Sequence, residues 1–244
     1  MNTFVKKRPY TQLAKHRESK CRRFITSEID FNIKSFVLEI GSGMGRQALW
    51  FASTGVNIMS LEINLKSCRA TKEKLVSANL WNHNAYIIRA DGQNLPFRDN
   101  AFDVIFCKAV LHHVPNICKL ITEMHRVVKK NGLVAAVDEP NGLNPLWHLA
   151  KFLTKRFHFR AYFLQSGEFV GRINFGPTMS PFYPWHLDDY FKQGHFKLVK
   201  RASIWLPYAT YSRVYFKLWL MLERIVERTF IPYVFGQLFI VAKK

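Results

Sequence analysis

Phe36-Val37-Leu38-Glu39-Ile40-Gly41-Ser42-Gly43-Met44-Gly45-Arg46 is the stretch on which the fold turns. Val37, Leu38 and Ile40 make a short β-type apolar run that stops at three glycines spaced by two, Gly41, Gly43 and Gly45. A strand that ends in such a loop and leads into a helix brings bare backbone close to a ligand. Glu39 is a carboxylate inside this apolar strand. Its burial is costly without a cationic or hydrogen-bonding partner, and a ligand carrying an amino group and a ribose would supply one.

Working outward, strand and helix signals alternate. A helix is expected over 44–53 with Gly55 as its C′ residue. A strand over 56–63 then ends at Glu62, and Asn64 can cap a helix over 65–78. Strands are expected at 85–90, closing on Asp91-Gly92, and at 102–107. Ile117, Leu120, Ile121, Met124, Val127 and Val128 then share one helical face. Asn131-Gly132 turns the chain into a fifth buried strand, 133–137. Strands alternating with helices of this length imply a parallel sheet with helices on both faces. Further on, a strand at 196–205, a helix near 211–228 and a last strand at 237–242 are expected.

The chain has 244 residues and a formal net charge of +19, enough for one large domain or one domain with a lid. Residues 1–34 hold nine cations against three carboxylates, and read as a basic N-terminal arm with one helix around Gln12–Phe24. The middle, 35–140, has twelve against nine, and 141–244 has fifteen against five. The excess at both ends implies an acidic partner: anionic lipid head groups, nucleic acid or an anionic small molecule. Cys21, Cys68, Cys107 and Cys118 have neither close pairing nor metal-type spacing. They read as reduced thiols of a cytoplasmic protein with no metal site. No secretory signal and no uncharged run of roughly 18 apolar residues is found, so no membrane span is expected.

Every unusual polar residue falls at a strand end. Gly41 to Gly45 follow strand one and Glu62 ends strand two. Asp91-Gly92 follow strand three, Lys108 follows strand four, and Asp138-Glu139 follow strand five. In an open α/β sheet these ends converge on the ligand, and a carboxylate at the end of strand two can accept from both ribose hydroxyls. The spacing is G-x-G-x-G, not the dinucleotide G-x-G-x-x-G. Glu39, two residues before the first glycine, would repel a pyrophosphate and suits a cation. S-adenosyl-L-methionine has a sulfonium, an amino group and no phosphate.

Taken together, Val37 to Gly45, Leu61-Glu62-Ile63-Asn64, Ala90 to Phe97 and Phe102-Asp103-Val104-Ile105 carry a family resemblance. Leu111-His112-His113-Val114-Pro115 and Glu123 to Lys129 extend it over about residues 36–140. The chain resembles class I S-adenosylmethionine-dependent methyltransferases of the methyltransferase type 11 branch, which includes the ubiquinone/menaquinone C-methyltransferases. It departs from them in having Lys130-Asn131-Gly132 for Pro-Gly-Gly and Glu62 where Asp is common.

The resemblance implies a Rossmann-like, seven-stranded, mostly parallel α/β sheet with helices on both faces and an antiparallel last strand. It implies a methyltransferase domain over 35–244, with a helical lid insertion at about 141–184. By the same resemblance Glu39 and the backbone of Gly41, Ser42, Gly43 and Gly45 hold the methionine end of the cofactor. Glu62 would bind the ribose, Ile63 pack on the adenine, and Asp91 and Gly92 face its amino edge. Lys108 would offer its backbone to the methionyl part. His112, His113 and Glu139 are the candidates for a general base, with Tyr10 behind them, and packing or capping roles stand beside that reading. Most of the rate can come from orientation alone.

For the acceptor, the sequence offers two readings. Asn144-Pro145 starts a basic amphipathic helix, and aromatics run from Phe159 to Trp185 and recur at Tyr215, Phe216 and Trp219. They either fill a second small core or line a pocket for a small, lipophilic or aromatic acceptor, such as a lipid, a quinone or a secondary metabolite. In the second case the basic rim would favour peripheral association with an anionic membrane surface. The alternatives are a tRNA or rRNA substrate held by the arm and C-terminal face, and a non-catalytic cofactor-binding accessory protein. Cys107-Lys108-Ala109-Val110 stands where a base methyltransferase would carry an Asn-Pro-Pro-Tyr-type signature.

Overall fold

β1 (Phe36–Ile40) sits inside a seven-stranded sheet and alternates its faces. Leu38 and Ile40 enter one core, with Leu61, Ile105 and Cys107. Val37 enters a second core on the other face, with Ile58, Val104 and Phe106. Both faces of β1 are covered by buried apolar residues, as a central parallel strand requires, and Glu39 is the one polar side chain in it. The computed structural model describes residues 12–32, 34–145, 148, 152, 162–165, 168–172, 181–204, 220–223 and 225–244.

Along the chain follow α1 (Gln12–Glu28), β1, α2 (Arg46–Ser53), β2 (Asn57–Glu62), α3 (Leu65–Ser77), β3 (Ala85–Arg89) and β4 (Phe102–Lys108). Then come a 3₁₀ turn at Leu111–His113, α4 (Ile117–Val127), β5 (Val128–Glu139), β6 (Tyr162–Gln165) and β7 (Glu168–Arg172). The chain closes with α5 (Pro184–Gln193), β8 (Lys197–Ile204), α6 (Ile231–Phe235) and β9 (Gln237–Lys243). The sheet order is β3-β2-β1-β4-β5-β9-β8; β1 to β5 are mutually parallel and β9 runs antiparallel to both its neighbours. This is a Rossmann-like α/β sheet, and strand order reverses between β1 and β4.

Local chemistry sets the element ends. Asn64 and Asn116 accept from the backbone of Ser67 and Lys119 and so cap α3 and α4. Gly55 closes α2 with φ 84°, a left-handed residue as expected. α4 buries Leu120, Ile121, Met124 and Val127, the apolar face read from the sequence.

Three features differ from expectation. First, Asn131-Gly132 does not precede the fifth strand but lies inside it. Asn131 has φ 65°, and the pairing of β5 with β4 shifts register there. Second, α1 extends to Glu28, and Cys21, Phe24, Ile25 and Ile29 are buried in the second core. Residues 12–29 are therefore a layer of the same domain, not an arm set apart from it; residues 1–11, with Tyr10, lie outside the described residues. Third, the insertion contains an antiparallel hairpin, β6 with β7. Pro145, His148 and Phe152 are helical as expected. Most of the aromatic run and residues 205–219 lie outside the described residues, so the choice between second core and pocket lies there too.

Candidate functional site

A cavity of about 500 Å³ opens at the carboxyl ends of β1 to β5, where the strand order reverses. Its wall takes Glu39 to Met44 from the end of β1 and Leu61 to Ile63 from the end of β2. Ala90 to Gln93 follow β3, Lys108 to Val110 follow β4, and Asp138 comes from β5. Of the residues singled out by sequence, Glu39, Gly41, Ser42, Gly43, Glu62, Ile63, Asp91, Gly92, Lys108 and His113 line it. Gly45, His112 and Glu139 stand behind the wall.

The glycine loop has distinct demands at each position. Gly41, Gly43 and Gly45 all have positive φ. A Cβ at Gly41 would collide with Val110, and one at Gly45 would meet Thr71 at 2.8 Å. At Gly43 a Cβ would meet nothing within 4 Å. Gly45 is thus a packing glycine, whereas Gly43 borders open space in the cavity wall. Gly41 and Ser42 are tied to β2 by their N–H groups, which donate to the Leu61 carbonyl at 2.8 and 3.2 Å.

Glu39 is buried (2% exposed) and accepts a 2.6 Å hydrogen bond from Ser60 Oγ. Burial pushes its carboxyl up to about 7; Ser60 opposes the shift, the neighbouring Glu62 adds to it and Lys108 opposes it. Glu62 accepts from Gly43 N and Asn64 N, both at 2.9 Å. One bond per oxygen leaves each with a further acceptor position. Asp91 accepts from the backbone and side chain of Gln93, at 2.9 to 3.2 Å. Ile63 is 61% exposed at the cavity edge.

The sequence reading missed the contribution of α1. Arg17 and Glu18 line the cavity. Arg17 pairs with Asp138 at 2.5 Å, while Glu18 pairs with Lys108 and accepts from Gln47 Nε2. Burial works to raise Glu18, but Lys108 and Gln47 hold it below the usual carboxylate range. The side chain of Lys108 is therefore an anchor for α1. The one signal in the sequence is that Glu18 is a rare carboxylate in a basic helix. Asp138, at a left-handed φ of 63°, is legible in the sequence only as a strand end.

Behind the wall, Glu139 is fully buried and organises the loop after β4. It accepts from Val110 N at 2.8 Å, Leu111 N at 2.9 Å and His112 Nδ1 at 2.7 Å. Burial raises its pKa, but His112 and these N–H groups bring the net shift below the ordinary value. His113 faces the cavity, and burial followed by the adjacent His112 lowers it to about 4. It is a neutral imidazole at physiological pH.

These residues fit a cationic, donor-rich ligand. Glu18, Glu39, Glu62, Asp91 and Asp138 in the wall outnumber Arg17, Arg46 and Lys108, in a chain of net charge +19. Gln47 Oε1 is buried in that wall without a hydrogen-bond partner among the described residues. A buried acceptor left empty favours a ligand N–H. No cluster of three or more potential metal ligands occurs among the described residues, and no helix among them is long and apolar enough to cross a membrane.

Comparison with known proteins places this geometry. Residues 38–136 match the family described as a methyltransferase domain. A demethylmenaquinone methyltransferase of Paenarthrobacter aurescens is 27% identical over 52% of this chain and 47% of its own length. The chain thus spans about half the length of such curated relatives. Among solved structures, a SAM-dependent methyltransferase of Methanosarcina mazei superposes with a TM-score of 0.59 at 20% identity, covering 91% of this chain and 96% of that one. A [4+2]-cyclase superposes with a TM-score of 0.64 at 15% identity, covering 92% and 80%. At such identities the likeness is one of fold alone.

Proposed function

We propose that the protein is a class I S-adenosylmethionine-dependent methyltransferase that transfers a methyl group from S-adenosyl-L-methionine to a small lipophilic or aromatic acceptor, a reading supported by the match of residues 38–136 to a methyltransferase domain. The observation that carries the cofactor half is the acidic cavity at the strand ends of a strongly basic chain. Glu39, Ser42, the Gly41–Gly45 backbone and Gln47 Oε1 suit the amino end. Arg17 and Arg46, the guanidinium groups of the wall, suit a carboxylate. Glu62 has acceptor capacity for ribose hydroxyls, Ile63 an exposed face for adenine, and Asp91 with Gly92 its amino edge. Lys108 contributes backbone.

When bound, this cofactor supplies a methyl carbon activated by a sulfonium, with a neutral thioether as leaving group. The chain's own residues then have to position and desolvate the acceptor, which can provide most of the acceleration. His113 is the candidate that touches the acceptor, as a neutral hydrogen-bond acceptor for its hydroxyl or enol. His112 and Glu139 are positioning residues, since they hold the loop that carries His113. The lipophilic acceptor is supported by the aromatic content of 141–235 and by the quinone-related name of the relative. The net charge also favours a second acceptor class, tRNA or rRNA.

Titration calorimetry with S-adenosylmethionine tests the site. Binding is expected in the wild type, with a loss of at least about tenfold in Glu62→Ala and in Gly43→Val. Unchanged affinity in both variants overturns the assignment. His113→Ala should lower kcat by about 10²-fold with cofactor affinity unchanged if it handles the acceptor proton.

A further inference from the structure

Residues 220–223 and 225–226 are helical, and their amphipathicity is inverted. Glu223 is buried (8% exposed) and accepts from His16 Nε2 and Lys20 Nζ of α1, each at 2.9 Å. Glu227, one turn on, pairs with Lys20 as well. On the opposite face, Met221 and Ile225 are 63% and 64% exposed, with Leu220 and Leu222 beside them. Phe230, 75% exposed, and Tyr233 continue the apolar surface. Residues four apart share a helix face, so the charged face points into the protein and the apolar face into solvent. A water-soluble surface helix has the reverse arrangement.

We infer that this face, Met221, Leu222, Ile225, Phe230 and Tyr233, docks on an anionic lipid bilayer surface. Charge selects the occupant. Of the two carboxylates of the segment, Glu223 is buried against His16 and Lys20 of α1, and the exposed Glu227 pairs with Lys20. Arg228 is exposed, and 141–244 holds fifteen cations against five carboxylates. Apolar side chains seated at the acyl boundary with cations at the head-group level are the composition of an interfacial helix. A second copy of this chain would bring the same positive charge and repel.

The surface is joined to the cavity. Asn141 Nδ2 donates to the Tyr233 carbonyl at 2.8 Å and Asn144 Nδ2 to the Phe235 carbonyl at 3.2 Å, which fixes the segment to the loop leaving β5. The helix that receives Glu223 through His16 and Lys20 is the one that places Arg17 and Glu18 in the cavity wall. A docked molecule would therefore hold its site beside the bilayer. That consequence rests on the lipophilic-acceptor reading above; the docking itself does not.

The test is vesicle flotation of the full chain. Binding is expected to phosphatidylcholine vesicles containing phosphatidylglycerol, and weaker binding to phosphatidylcholine alone. Met221→Asp/Ile225→Asp should weaken partitioning by about tenfold or more, and Arg228→Glu should weaken it on the anionic vesicles only. The melting temperature should be unchanged, because these side chains are exposed. Failure of the wild type to float with anionic vesicles overturns the inference. So does flotation of the double variant at wild-type levels, as polyanion binding through the basic residues alone would give. A lowered melting temperature in the double variant, or a wild-type dimer that it dissociates, also overturns it, since the face would then be covered by this chain or by a second copy. Calorimetry with S-adenosylmethionine on the same samples separates this outcome from failure of the cofactor site.

Discussion

Glu39 is the least comfortable charge in the molecule, and its discomfort is what makes it useful. Its folded pKa of about 7 lies above the ordinary 4.5, so the folded chain holds a proton that the unfolded chain releases. Stability is therefore lost as pH rises from about 4.5 through about 7, and the full cost, on the order of 3 kcal/mol, is present at about pH 8. Glu39→Gln should raise the melting temperature of the unliganded protein at that pH and have little effect near pH 4. The same variant should weaken cofactor binding and remove its pH dependence, because a cation beside Glu39 must expel that proton. Thermal unfolding and calorimetry at both pH values check it; a wild type whose stability is flat between pH 5 and 8 refutes it. The neighbouring glycines separate fold from site in the same way. Gly45→Ala should destabilise through Thr71, whereas Gly43→Ala should cost only about the 1–2 kcal/mol of a left-handed residue while intruding on the cavity.

Among the elements, α1 couples most directly to the cavity. Its apolar side packs Phe24 edge-on against Phe239, with centroids 5.0 Å apart, and its polar side closes the cavity with Arg17 and Glu18. The Glu18–Lys108 pair is buried, so removing one partner leaves an uncompensated charge. Glu18→Ala or Lys108→Met alone should cost about 3–5 kcal/mol, and the double variant less than the sum of the two. Denaturant midpoints measure this cycle. Additive losses would mean that the pair does not hold α1 to β4. Since Glu18 is held below the ordinary carboxylate value, its contribution is present above about pH 4.5 and disappears as pH falls through the lowered folded pKa.

At the scale of the whole molecule, burial divides the thiols. Cys21, Cys68 and Cys107 are buried and Cys118 is exposed. Burial pushes Cys21 up to about 12 and Cys107 well above its ordinary value, and a thiolate is the reactive form. A chromogenic thiol reagent should titrate one group rapidly in the native protein and four after denaturation. Two or more fast groups would show that a buried thiol, Cys68 first by its 8% exposure, is reached by local opening. Charge is also unevenly divided: the cavity wall has five carboxylates against three cations, in a chain with a net charge of +19.

The five parallel strands, their capping asparagines and the glycine loop were legible because each is a local pattern. Strand runs, N-cap residues and left-handed glycines follow from steric and hydrogen-bonding rules acting over a few residues. The strand-end residues Glu39, Glu62, Asp91 and Lys108 were legible for the same reason, since a parallel sheet brings its carboxyl ends together without further information. Long-range packing decided the rest. The sequence shows α1 as a basic helix, but only the docked helix reveals that Glu18 meets Lys108, 90 residues away, across the cavity. His112, His113 and Glu139 look alike in sequence; tertiary structure alone turns His113 to the cavity and buries Glu139 beneath the loop. The outward apolar face that carries Met221 and Ile225 was equally invisible, because helical periodicity defines two faces and only a partner such as α1 decides which of them is inside.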